Sequence, residues 1–229
     1  QQLSRLPRTD EVLARAFANL NGAVAVSKTP AAGQSRAESF GRADITNASW
    51  LSLDGEGDFM SLPAAQYFYA LNDDLAAAAQ PAVAALPHDS DGVIRRLPLL
   101  WSLDGTAAPS LALEAARLAE GGGEIVVRPA PSSANAQGRL LSEVVVANGS
   151  IKVAPSGAMR LHLPKRLALP TTSATRLLNP GNANSQLSGR VVLIGLDTDL
   201  GESALTARGE IAPVALHAIT AAQICAGHA

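Results

Sequence analysis

The stretch LSGRVVLIGLDTDLGES, residues 187 to 203, constrains the fold most strongly. Gly189-Arg190 opens it. Val191, Val192, Leu193 and Ile194 form an unbroken apolar run, and Gly195 closes it before an acidic loop. A run of four β-branched or aliphatic residues bounded by glycines reads as a continuous buried strand, since a strand covered on both faces shows no polar alternation. PVALHAITAAQICAG follows, a helix predicted to begin near Pro213 and end at Gly227. Strand, loop, helix is the repeating element of an α/β sheet, whose binding residues gather beyond the strands' C-terminal ends.

The N-terminal part carries the complementary half. In TDEVLARAFANLNGAVAVS, Thr9 or Asp10 caps a helix with Val12, Leu13, Ala16, Phe17 and Leu20 at helical spacing. Asn21-Gly22 stops it, and AVAVS reads as a short buried strand. Residues 28–60 then show Gly, Ser, Asn, Asp and Pro without a sustained period, which predicts an insertion or a mobile loop. Residues 62–71 predict a short helix opening on Pro63. SLALEAARLAEGGG predicts a helix capped by Ser110 and ended by Gly121 to Gly123. EIVVRP predicts a strand. The stretch from Arg139 to Pro164 predicts two or three strands with a hairpin at Asn148-Gly149. The fold class is therefore α/β: one domain over residues 1–229, a mixed β-sheet flanked by helices in a three-layer-like arrangement.

HDSDGVIRRLPLL, His88 to Leu100, raises the main question about function. Asp91-Gly92 is a turn signal, with Asp89 shaping the same turn. The residues that follow suit an extended packed segment, yet Arg95 and Arg96 stand side by side in it. Successive strand side chains point to opposite faces, so one arginine is expected to face a permanent anionic partner. Asp197, Asp199 and Glu202 in the acidic loop are the candidates, with a ligand carboxylate or phosphate as the functional alternative. His217, near the start of the last helix, joins this polar cluster. It is expected to be a hydrogen-bonded structural histidine, with pH sensing as the lesser option.

Other chemistries lack their residues. A net charge of −2 supplies no basic stripe for nucleic acid. The four histidines have no zinc spacing, and HDSD and DGEGD are incomplete as calcium loops, so no metal or other cofactor is expected. GEGDFM lacks the third glycine of a dinucleotide fingerprint, and no GK[ST] motif occurs. A serine hydrolase using Ser203 and His217 would need a G-x-S-x-G elbow, which is absent. The single cysteine, Cys225, is expected to pack in the last helix as a small hydrophobe. No window reaches the roughly 18 apolar residues of a spanning helix, and the first residues lack a signal-peptide core, so any membrane attachment is expected outside this chain.

These pieces together resemble the CHASE2 family. HDSDGVIRRLPLLWSLDGTAAPSLALEAARL is similar to its D-x-DG-hydrophobic-x-R-R-x-P-L-L segment with the following PSLAL helix. LSGRVVLIGLDTDLGES resembles its L-x-G-K/R-x-V-L-I-G strand and loop. PVALHAITAAQICAG resembles its G-V-x-I-H-A helix, and TDEVLARAFANLNGAVAV its D-x-x-LA-x-A helix and strand. The resemblance implies an extracytoplasmic sensor module of a bacterial receptor, on the periplasmic or extracellular side of the membrane and without catalysis of its own. It implies flanking transmembrane helices, a cytoplasmic nucleotide cyclase or histidine kinase, an unidentified small-molecule or protein stimulus, and receptor self-association. It also implies an opening β-α-β portion that has no counterpart ahead of residue 10. A purely structural receptor-pairing module is the ligand-free alternative.

Overall fold

The computed structural model describes residues 9–20, 24–27, 51–54, 62–64, 73–103, 106–130, 140–147, 149–164, 169–178, 187–197 and 203–227. Helix α1, Thr9–Ala18, forms where the acidic pair Asp10 and Glu11 complements the positive end of the helix dipole and Arg15 the negative end. Its apolar side does not enter the core: Val12, Leu13 and Leu20 are exposed and no residue of α1 is buried. Strand β1, Val24–Ser27, pairs in parallel with β3, Gln80–Val83. Part of the expected insertion is regular structure, because β2, Leu51–Leu53, lies parallel to β7, Ile125–Pro129. The rest of 28–60, apart from Asp54, lies outside the described residues. Of the helix expected over 62–71, only 62–64 are described, and there Ala64 bridges Ser102 as an extended residue. Helix α2, Asp73–Ala78, leads into β3.

The arginine segment forms two short strands and not one. Strand β4, Arg96–Pro98, pairs antiparallel with β10, Ala158–Arg160. Strand β5, Leu100–Leu103, pairs with β6, Thr106–Pro109. Pro98 has no N–H to continue a ladder, and Leu99 between the strands donates to the Gly157 carbonyl at 2.9 Å. Helix α3, Leu111–Ala119, starts at Ser110, whose hydroxyl accepts from the Leu113 N–H at 3.3 Å. It is followed by β7, then the hairpin of β8, Leu141–Val146, and β9, Gly149–Lys152. Strands β2, β7, β8 and β9 build a four-stranded mixed sheet in that order. Helix α4, Ala174–Leu178, precedes a hairpin that the sequence did not suggest: β11, Ala204–Thr206, with β12, Gly209–Ile211. Helix α5, Pro213–Cys225, begins on Pro213 and carries no charged side chain, as suits a helix packed on several sides.

One core joins these pieces. Leu97, Leu99 and Leu100 from the arginine segment meet Leu113 of α3, Ile125 and Val144 of the larger sheet, and Leu216 of α5. The parallel and antiparallel ladders with flanking helices constitute an α/β fold.

The strand expected at 191–194 is absent. Residues 191–197 have no ladder partner among the described residues. Val191, Val192 and Leu196 are exposed, Ile194 is 90% exposed, and Leu193 alone of the run packs on the core. A β-branched run expresses a preference for pairing, but a strand exists only where a second strand lies beside it. The segment is instead pressed against α5, for a Cβ added to Gly195 would sit 2.5 Å from the Val214 Cβ.

Candidate functional site: an arginine-lined groove

The turn at Asp91-Gly92 forms for local reasons. Gly92 adopts φ +80°, its N–H donates to the Asp89 carbonyl at 2.9 Å, and the Asp91 carboxylate accepts from the Val93 N–H at 3.1 Å. This brings both carboxylates back onto Arg95. Its Nη1 donates to Asp89 Oδ2 at 3.1 Å and Asp91 Oδ1 at 2.9 Å, and its Nη2 donates to Asp91 Oδ2 at 2.7 Å. The Arg95 hydrogen bonds hold the Asp91 carboxyl down at about 2, and the two carboxylates push Arg95 above its ordinary value. All three side chains are substantially exposed, so the fork orients Arg95 more than it stabilises the fold. Asp89 and Asp91 spend their carboxylates on Arg95, and among the described residues no group of three or more His, Cys, Asp or Glu could hold a metal.

The expected clamp between the arginines and the acidic loop is not seen among the described residues, where the carboxylates on Arg95 come from its own turn. Asp197 is exposed, and Asp199 and Glu202 lie outside the described residues. Arg95 and Arg96 are both exposed. The alternation argument fails here because Arg95 precedes β4, and among the described residues β4–β10 is a two-stranded ribbon.

Arg95 instead forms one wall of a groove of about 470 Å³. Three chain segments converge to build it. Ile94 bridges Thr206 and donates its N–H to the Leu205 carbonyl at 2.8 Å, which brings Ala207 and Arg208 of the β11–β12 turn to one side. The Leu161 N–H donates to the Arg95 carbonyl at 3.0 Å, which brings Arg160 and His162 to the other. Ile94 and Leu161 are buried and Leu163 half-buried, so the floor is apolar, while Arg160, His162 and Arg208 stand exposed at the rim. The sequence reading missed Arg160, His162 and Arg208. The alternation of Arg160, Leu161, His162 and Leu163 was the available signal.

The groove is tied to the last helix through one side chain. Gln223 of α5 accepts from the His162 N–H through Oε1 at 3.3 Å and donates to the His162 carbonyl through Nε2. One amide thus satisfies both backbone groups of a residue on the groove's rim.

His217 is set apart from this groove. It is 1% exposed, its Nε2 donates to the Ala84 carbonyl at 3.3 Å, and its Nδ1 is buried with no partner among the described residues. Burial pushes the imidazole down to about 4. Ser203 is exposed, and no hydrogen bond joins it to His217 among the described residues, so no nucleophile and base are assembled there. Cys225 lies in α5, but it is exposed because it stands in the helix's final turn, with Sγ 4.0 Å from the Ala116 carbonyl.

A further feature escaped the sequence reading. Glu114 and Arg117, three apart on α3, form a buried two-pronged pair: Nη2 to Oε1 at 2.6 Å and Nε to Oε2 at 2.8 Å. Arg117 Nη1 also donates to the Gly122 carbonyl at 2.6 Å, closing the end of the helix.

No curated protein and no solved structure matches the chain. The model of one family, the CHASE2 domain, matches residues 1–229, and the chain belongs to that family of extracytoplasmic sensor domains.

Proposed function

We propose that the chain is the sensing segment of a bacterial membrane receptor, relaying a stimulus through flanking transmembrane helices to a cytoplasmic output such as a nucleotide cyclase or a histidine kinase. The family match over residues 1–229 carries this reading. The link from groove to α5 through Gln223 supports it, because a sensor needs its binding surface joined to an element that can move. A stimulus acts only by favouring one of two conformations over the other, and Gln223 is the point at which the groove's rim meets α5. Among the described residues no helix is long and apolar enough to cross a membrane.

Alkaline phosphatase, active only outside the cytoplasm, fused after Gly227 in the intact receptor is expected to be active, while a green fluorescent fusion at the same point stays dark. The reverse pattern overturns the reading. The exposed side chains of Val191, Val192, Ile194 and Leu196 favour a second, compatible reading, self-association of the receptor. The chain is then expected to sediment as a dimer that Ile194→Lys splits, and a monomer at every concentration overturns it.

A further inference from the structure

We propose that the arginine-lined groove is the ligand site of this sensor, and that it takes an amphipathic organic anion: a small carboxylate with an apolar body. The proposal rests on the sensing role above and names its chemistry. The groove is half open, and its volume of about 470 Å³ falls within the range of small-molecule sites. The floor of Ile94, Leu161 and Leu163 offers apolar contact, which suits a carbon skeleton and not a bare phosphate. Arg95 is already held by Asp89 and Asp91, but among the described residues Arg160 and Arg208 have no carboxylate partner and no acidic side chain lines the groove.

The strand register adds an independent sign. Arg160 stands directly opposite Arg96 in the β10–β4 ladder, and like charges at opposed positions destabilise a sheet. Arg96 itself does not line the groove, but an anion bound to Arg160 from the groove side would offset that repulsion. Guanidinium groups suit a carboxylate in particular, since their planar fork matches its two oxygens. A carboxylate seated between Arg160 and Arg208 bridges the strand before His162 to the β11–β12 turn. Gln223 holds His162, two residues beyond that strand, to α5. Ligand entry therefore bears on the helix through Gln223, a positioning residue.

Isothermal titration of the 229-residue chain tests the site, with benzoate, phthalate and hexanoate as probes beside acetate, inorganic phosphate and neutral benzamide. Saturable binding of at least one apolar-bodied carboxylate is expected, with none for benzamide. Arg160→Gln and Arg208→Gln are each expected to weaken it by at least about tenfold through loss of a charge-assisted hydrogen bond. Arg176→Gln on α4 is expected to leave it unchanged. Both groove arginines are exposed, so an unchanged thermal midpoint verifies folding of the variants. Absence of saturation by every carboxylate, or full binding by both variants, overturns the site. In the intact receptor, Gln223→Ala is expected to keep probe affinity within about twofold while abolishing the ligand-dependent output. Binding that never alters output sinks the sensing role and leaves the site standing. An output response that survives the loss of both groove arginines sinks the site and leaves the sensing role.

Discussion

Arg117→Ala is expected to destabilise the domain by about 3–5 kcal/mol, because it leaves the Glu114 carboxylate buried without a partner. The pair is enclosed in α3, and Arg117 also satisfies the Gly122 carbonyl at the helix's end. For a domain of this size the loss corresponds to a fall of about 10 °C in thermal midpoint. The double variant Glu114→Leu/Arg117→Met is expected to recover most of the loss, since removing both charges removes the cost of burying either. Chemical denaturation of the three proteins measures this. A single variant within about 1 kcal/mol of the parent would show that water reaches Glu114.

The second large effect is a loss of stability in mild acid through His217. Its folded-state value of about 4 lies below the ordinary 6.5, so the unfolded chain binds a proton more readily than the native one. Native stability from this group is complete above pH 6.5 and falls as the pH drops from there to about 4. The loss reaches about 3 kcal/mol if that whole interval is crossed. The physical origin is plain in the surroundings. Protonation would place a charge in an apolar site and leave Nδ1–H buried without an acceptor among the described residues. Denaturation midpoints of the parent and of His217→Leu, measured from pH 7 to pH 4.5, give the two slopes to compare, and equal slopes would refute the assignment. Asp91 titrates in a different window. Its carboxyl sits at about 2 against an ordinary 3.8, so its contribution is present above pH 3.8 and is lost only below it.

Elements governed by local chemistry were legible in the sequence. Ser110 as a cap, the glycines after Glu120, the turn before Gly149 and Pro213 at a helix start each act within a few residues, and α3, the β8–β9 hairpin and α5 stand where those signals placed them. What depended on a second segment was not legible. The run Val191 to Ile194 carries every local mark of a buried strand, yet burial and pairing require a neighbour that composition does not specify. The hairpin of Ala204–Thr206 with Gly209–Ile211 is too short for periodicity to register. The twin arginines drew attention correctly, but the partners of Arg95 were four and six residues away and not a hundred. The groove could not be read at all from spacing. Arg160 and Arg208 are brought to one place only because Ile94 and Arg95 bond with both of their segments.

The meeting of Gly195 with Val214 has a mechanical consequence. With no room for even a methyl group between them, the chain after the apolar run and the first turn of α5 have no slack. Pushing one toward the other by a fraction of an ångström displaces it. A partner that presses on Val191 to Ile194 from outside would therefore push on the same helix that Gln223 holds from the groove, so that pairing and ligand would act on one lever from its two ends.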